Sequence, residues 1–253
     1  MTTFSEQFPI VFQALNVGFL QTLKLFFVTL IGAIPLGLII SFGSMSSWAP
    51  LGFLRPLLKN LPKNTKLTWW QRFQIWCYVD FKPIRIIVRF IIWVVRGTPL
   101  MLQLMVVYFG PFYLFGMNIG KWRFPAIITG FALNYGAYFA EIYRSGIVSM
   151  DRGQYEAAKL LGYSKGQTFV RIILPQVVKR ILPAITNEVI TLVKDTSLAF
   201  SISYVEMFTI AKQIAAAKTT MVPFVAAGIF YYIFNFVVAW VMELLEKKFS
   251  YYH

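Results

Sequence analysis

Two side chains that anchor much of protein chemistry are almost missing from these 253 residues: there is one cysteine, Cys77, and one histidine, His253. A single thiol excludes an intramolecular disulfide, and the scarcity of both argues against a metal cluster or a histidine-based triad. Charge is sparse as well, at 13%, about half of what a soluble domain carries. No GxxxxGK[ST] phosphate loop occurs, and Gly162 to Thr168 resembles one only superficially, so the chain is not expected to hydrolyse ATP. No internal duplication is visible, which leaves the inverted-repeat design of many secondary transporters unsupported. The start, MTTFSEQFPI, has no basic n-region and Lys24 is the first positive charge, so a cleaved signal peptide is not expected.

What the chain has instead is apolar length: 58% of its residues are hydrophobic and 18% aromatic. Several runs approach or exceed the ~18 apolar residues that cross a bilayer. The expectation is an all-α integral membrane protein, one transmembrane domain over 1–253, with five transmembrane helices. Residues Phe8 to Leu20 read as a surface segment leading into span one, about Asn16 to Phe42, with Pro35 as a possible bend. Span two covers about Ile86 to Phe115 and should kink at Arg96-Gly97-Thr98-Pro99, because proline removes a donor and clashes with the preceding turn. Spans three, four and five lie at about Pro125 to Tyr143, Ile181 to Ile202 and Pro223 to Leu245. A short outer helix is expected within 203–221. Residues 44–85 form a basic linker whose aromatic and basic segments suit the membrane interface.

The net charge of +14 would suggest nucleic acid in a soluble chain, but here the positive residues gather in particular loops. The 44–85 linker holds seven Lys and Arg, the 144–180 loop seven and the C-terminal tail two, whereas the alternate loops hold four in all. The positive-inside rule then places linker, hairpin and tail in the cytoplasm and the N-terminus outside.

Within the second basic loop, DRGQYEAAKLLGYSKGQTFVRIILPQ is a polar hairpin between apolar segments. Asp151 with Gln154, and Ser164 with Gln167, read as two capping boxes. Gly162 supplies the backbone freedom that ends the first helix, and Pro175 should break the second. A DNA-reading helix-turn-helix is the bland alternative, but a loop between membrane spans is a poor place for one. Ala157 and Ala158 permit close approach, and Glu156 offers a charge. The order Glu-Ala-Ala, Gly162, Leu-Pro resembles the EAA loop of ABC-transporter permeases.

Five charges sit inside the predicted spans. Asn134, Tyr138 and Glu141 lie at i, i+4 and i+7 and share a helix face, as do Glu188, Thr191 and Asp195 at i, i+3 and i+7. Asn187, Thr191 and Lys194 form an overlapping stripe, and Arg96 sits at the break of span two. An ionised side chain at mid-bilayer costs about 2.5–3.5 kcal/mol even on a lenient scale. These groups are therefore paired (Glu188 with Lys194 or Arg96, Glu141 with Arg144), placed near an interface, or turned to a wet pathway.

VVRGTPLMLQLMVVYFG, ALNYGAYFAEIYRSGI, GQYEAAKLLG, ILPQ, LPAITNEVITLVKDTSL and YVEMF together resemble the polar amino acid uptake branch of ABC permeases, closely from Arg96 to Ile214. The resemblance implies a type I importer with two cytosolic ATPases that bind ATP and magnesium, a second permease subunit, and an external amino acid-binding protein. No cofactor, metal or nucleic acid is implied for this chain. The resemblance also implies that Glu156, Ala157, Ala158 and Gly162 dock on the ATPase. Arg96, Thr98, Asn134, Tyr138, Glu141, Glu188, Thr191, Lys194 and Asp195 are the candidates for the substrate route. The first cytosolic linker is longer than in typical members. An ion-coupled secondary transporter, with Glu141, Glu188 or Asp195 carrying protons, is the rival reading.

Overall fold

The computed structural model describes residues 4–50, 68–70, 73 and 81–249, and every regular element among them is helical. Most of the basic linker, Cys77 and His253 lie outside the described residues. The first helix, α1 (Phe4–Met45), runs unbroken for 42 residues, about 63 Å at 1.5 Å per residue. The expected surface segment and span one are thus one helix. Two shorter helices follow, α2 (Pro83–Gly97) and α3 (Leu100–Phe115), then α4 (Arg123–Val148) and α5 (Arg152–Leu160). A helical turn at Lys165–Gln167 passes through a π-helical stretch, Thr168–Ile173, into α6 (Leu174–Asp195). A 3-10 segment, Thr196–Ile202, leads to α7 (Met207–Lys218) and α8 (Val222–Phe249).

Two expectations change here. The break at Gly97-Thr98-Pro99 is a fold rather than a kink: α2 and α3 meet at a bend of 110°. At 15 and 16 residues they reach only about 22 and 24 Å. Pro175, in contrast, breaks nothing. The wider π-helical turn just before it accommodates the ring and the missing donor, and the helix runs on to Asp195.

By length and composition two described helices can cross a membrane, Val11–Met45 and Val222–Phe249, or three if the bent pair is one span. The expected count of five is therefore not reached on apolarity alone. Helices α4 and α6 have 26 and 22 residues, enough for about 39 and 33 Å, but their polar residues lower their mean hydropathy.

The core explains why. Helix α4 lies along α1 in the longest packing seam, and also touches α2, α3 and α6. A ladder of aromatic rings at i, i+4 spacing runs down α4, Phe131, Tyr135, Phe139 and Tyr143, with centroids 6.4, 6.4 and 6.3 Å apart. It packs against Leu25, Phe26 and Ala33 of α1, Leu104 of α3, and Val189, Leu192 and Val193 of α6. At Gly37 the α1 backbone comes so near α4 that an added Cβ would sit 2.7 Å from Phe139 Cβ and 3.0 Å from the Gly136 carbonyl oxygen. Helices α1 and α8 turn Leu20, Ile31, Ile39, Tyr232 and Phe236 outward, each more than half exposed. Surfaces of that kind are at home in lipid rather than water.

Candidate functional site

The polar hairpin is built almost wholly from local rules. Asp151 caps α5 by accepting from the Gly153 amide at 2.7 Å. Its expected box partner is engaged elsewhere: Gln154 and Gln176 exchange side-chain amide bonds at 2.9 and 2.7 Å, clasping α5 to the base of α6. The second capping box forms as read, with the Ser164 amide donating to Gln167 at 2.9 Å and the Gln167 amide to Ser164 at 3.3 Å. Gly162 has φ +79°. The Tyr163 amide reaches the Ala158 carbonyl at 3.0 Å and the Gly162 amide reaches Lys159 at 3.1 Å. That double bond pattern is a Schellman close, which needs a left-handed residue.

Ala158 is buried, while Glu156 and Ala157 are exposed. Leu160 and Leu161 stand 90% and 75% exposed at the tip, and a Cβ on Gly162 would meet nothing within 4 Å. A rigid knob with a bare apolar tip and an open glycine is shaped for a partner's surface. Arg180 braces the knob from below, donating to the carbonyl and hydroxyl of Ser149 at 2.7 and 2.9 Å.

The intramembrane candidates separate into three groups. At the fold between α2 and α3, Gln103 donates to the Val95 carbonyl (2.7 Å), the Thr98 carbonyl (3.0 Å) and the Thr98 hydroxyl (2.8 Å). Buried Asn134 donates to the Gln103 side-chain oxygen at 3.0 Å. Thr98 and Asn134 therefore hold the fold in shape, with Gln103, unnoticed in the sequence, as the centre. Its signal was the position four residues after Pro99, where the break frees the Val95 and Thr98 carbonyls, which need a donor.

Beside this fold, Arg89, Trp93 and Arg96 of α2 and Tyr138, Glu141 and Arg144 of α4 line a cleft of about 540 Å³. The Arg96 guanidinium lies 4.9 Å from the Tyr138 ring centroid. Glu141 is paired with Arg144, as its i+3 spacing suggested, through two hydrogen bonds, one of 2.9 Å. The face shared by Asn134, Tyr138 and Glu141 is thus real, and it looks onto the α2–α3 fold.

On α6, Asp195 accepts from the Tyr135 hydroxyl at 2.7 Å. Glu188 is half-buried, and the charges of Arg96 and Asp195 both act on it. Lys194 and Thr191 are exposed, and the Thr191 hydroxyl donates back to the Asn187 carbonyl at 2.8 Å. Neither Lys194 nor Arg96 forms an ion pair with Glu188 among the described residues. Of the five charges, only Glu141 has a direct ionic partner there.

One buried acid lies elsewhere. Glu206, fully buried, caps α7 by accepting from the amides of Phe208 and Thr209 at 2.8 and 2.7 Å. It also accepts from Tyr231 of α8 at 3.1 Å and Thr22 of α1 at 3.4 Å. Burial pushes its carboxyl above the ordinary range, against the pull of those donors. Gly18 makes room for the joint, since a Cβ there would sit 2.7 Å from Met207 Cα. No local pattern around Glu206 announces these partners on α1 and α8.

Residues 75–251 match the family model described as the binding-protein-dependent transport system inner membrane component. The chain belongs to this family. It is 40% identical over 169 residues to the arginine transport system permease protein ArtQ of Bacillus subtilis (strain 168), covering 66% of this chain and 76% of that one. It is 35% identical over 227 residues to the octopine transport system permease protein OccM of Rhizobium radiobacter, covering 87% and 85%. Among solved structures, the crystal structure of an amino acid ABC transporter with histidines aligns over 98% of this chain and 99% of that one, with TM-score 0.77 and 28% identity. The MetNI methionine ABC transporter, inward facing, shares the fold at TM-score 0.62 and 16% identity. This permease accordingly has the type I ABC importer fold, the sequence expectation for its class. The match begins just before α2 and so takes in the folded second segment, the knob and every intramembrane charge discussed above.

Proposed function

We propose that this permease carries polar amino acids inward, driven by ATP that separate subunits hydrolyse. The observation that carries the reading is the capped knob with exposed Glu156, Leu160, Leu161 and open Gly162, placed between the two helices that carry Glu141, Glu188, Lys194 and Asp195. Two cytosolic ATPases holding ATP and magnesium would receive the Glu156, Ala157, Ala158 and Gly162 surface. A second permease subunit would complete the pathway, and an external binding protein would deliver cargo. The chain itself, without a phosphate loop, does no bond chemistry. Five crossings, with α2 and α3 together forming the second, put the N-terminus outside and the C-terminus in the cytoplasm of a prokaryotic plasma membrane.

The route is assigned to the α4–α6 side. A free amino acid needs acceptors for its ammonium and donors for its carboxylate. Glu188 and Asp195 serve the first need; Lys194, Thr191 and Tyr138 serve the second, and Arg96 backs the Tyr138 ring from α2. Thr98, Asn134 and Glu141 shape the wall through Gln103 and Arg144. Closure of the ATPases would press on the knob and rock α4 and α6 between two states.

The test is uptake by proteoliposomes containing the assembled complex, with ATP inside the ATPase compartment and no ion gradient. Accumulation of a polar amino acid supports the reading. Uptake that requires a proton or sodium gradient and ignores ATP would establish the secondary-transporter alternative instead.

A further inference from the structure

The α2–α4 cleft carries more positive charge than the route needs. Arg89, Arg96 and Arg144 face it together with a single acid, Glu141, which Arg144 already holds. That leaves two guanidinium groups with no ion pair among the described residues. Arg85, the other basic residue of the α2 body, is turned away and donates to the Met45 carbonyl at 3.0 Å, closing the end of α1.

The surroundings of the cleft say what kind of anion it meets. Ile87, Phe90, Ile91 and Trp93 of α2 are 58%, 60%, 50% and 72% exposed, so the rim is an apolar stripe rather than a polar one. Basic residues beside an exposed aliphatic and aromatic face suit a segment that enters the membrane obliquely through its interface. The bend of 110° against α3 fits that attitude, and in the orientation proposed above this interface is the cytosolic one. Tryptophan settles at headgroup depth, and a guanidinium fork matches a phosphate bidentately. We propose that the α2–α4 cleft binds the phosphate of an anionic phospholipid, held between Arg89 and Arg96, with its acyl chains along the α2 stripe. A lipid there stands behind Arg96 and Tyr138 and so fixes the wall of the route.

The experiment uses the full chain, purified in detergent from a mixture of phosphatidylglycerol and phosphatidylcholine and weighed intact by native mass spectrometry. The wild type should retain phosphatidylglycerol several-fold over phosphatidylcholine. Arg89→Gln should lose that preference, because Arg89 belongs to the cleft and not to the assigned route, while Lys218→Gln, remote on α7, should keep it. Equal retention of the two lipids by the wild type, or a preference unchanged in Arg89→Gln, overturns the proposal. A second measurement needs no variant: short-chain phosphatidylglycerol should raise the melting temperature of the wild type more than short-chain phosphatidylcholine does. If inorganic phosphate or a free amino acid raises it equally, the cleft is a site for soluble oxyanions and the lipid assignment is wrong. None of these readouts depends on transport, so the amino acid reading stands or falls separately.

Discussion

The knob between α4 and α6 and the polar seam inside the helices are both made of a few charged and amide side chains, yet they are held by opposite means. The knob keeps its shape through neighbours in sequence: Asp151 with Gly153, Ser164 with Gln167, Tyr163 with Ala158. The seam is held by partners far apart, Asn134 with Gln103, Tyr135 with Asp195, Glu206 with Thr22 and Tyr231. A part that must be gripped from outside gains from being rigid on its own. A part that must open gains from bonds across helices, which a change of state can exchange.

The largest effect should come from breaking the knob. Gly162→Val puts a β-branched side chain at φ +79°, where such residues are genuine outliers, and fills the open side of the contact. With Glu156→Lys as its charge-reversing counterpart, it should abolish ATP-driven uptake while membrane insertion and the amount of permease stay normal. Uptake at wild-type rates in both variants would remove the knob from coupling.

That prediction rests on features legible in sequence, and the reason is range. Capping residues and a left-handed glycine act within four residues, so letters alone place them. The starts of α4 and α8 were legible likewise, from apolar runs, but α4 runs on to Val148 past its expected end at Tyr143, and α7 takes only Met207–Lys218 of the expected 203–221. The 110° fold was foreseen only as a kink, because Pro99 says that a helix is interrupted but not where its second half goes. Gln103 fixes that direction, through carbonyls that only the folded chain brings to it. Gln154 shows the same limit from the other side. Its spacing to Asp151 fits a capping box, but Gln176, 22 residues on, competes for the amide and wins. On α6 the shared face of Glu188, Thr191 and Asp195 was visible, whereas the hydroxyl that holds Asp195 belongs to α4.

The next effect belongs to the seam. Gln103→Leu keeps bulk but removes the donor to Val95 and Thr98 and the acceptor for Asn134. Of these partners Asn134 is buried and Thr98 exposed; one orphaned buried amide costs about 1–3 kcal/mol, so the melting temperature should fall and uptake should weaken together. Unchanged stability would show that the fold between α2 and α3 is fixed by packing alone.

Glu206→Gln should cost less than Glu206→Ala. The amide oxygen can still serve Thr209, and the hydroxyls of Tyr231 and Thr22 can turn to accept, but the Phe208 amide cannot. One orphaned donor corresponds to about 1–3 kcal/mol, read as a lower melting temperature. If Gln matches wild type, the cap at Phe208 carries no weight.

The smallest effect tests a contact where the two regions meet. Gln154 lies on the knob and Gln176 at the foot of α6, and their paired amides are half-buried. Each bond of this kind is worth about 1 kcal/mol net, so Gln154→Ala and Gln176→Ala should each lower stability modestly. Gln176 also donates to the Ile172 carbonyl at 2.7 Å, inside the π-helical stretch, and its loss should therefore cost more than that of Gln154. In a double-mutant cycle the pair should show a coupling of about 0.5–3 kcal/mol, the range found for residues in contact. If the clasp transmits motion from knob to α6, each variant should also lower the uptake gained per ATP hydrolysed, with hydrolysis itself maintained. A cycle with no coupling in stability and no loss of uptake per ATP would leave the link between the two regions to the π-helical stretch, the α6 backbone and the Arg180–Ser149 brace.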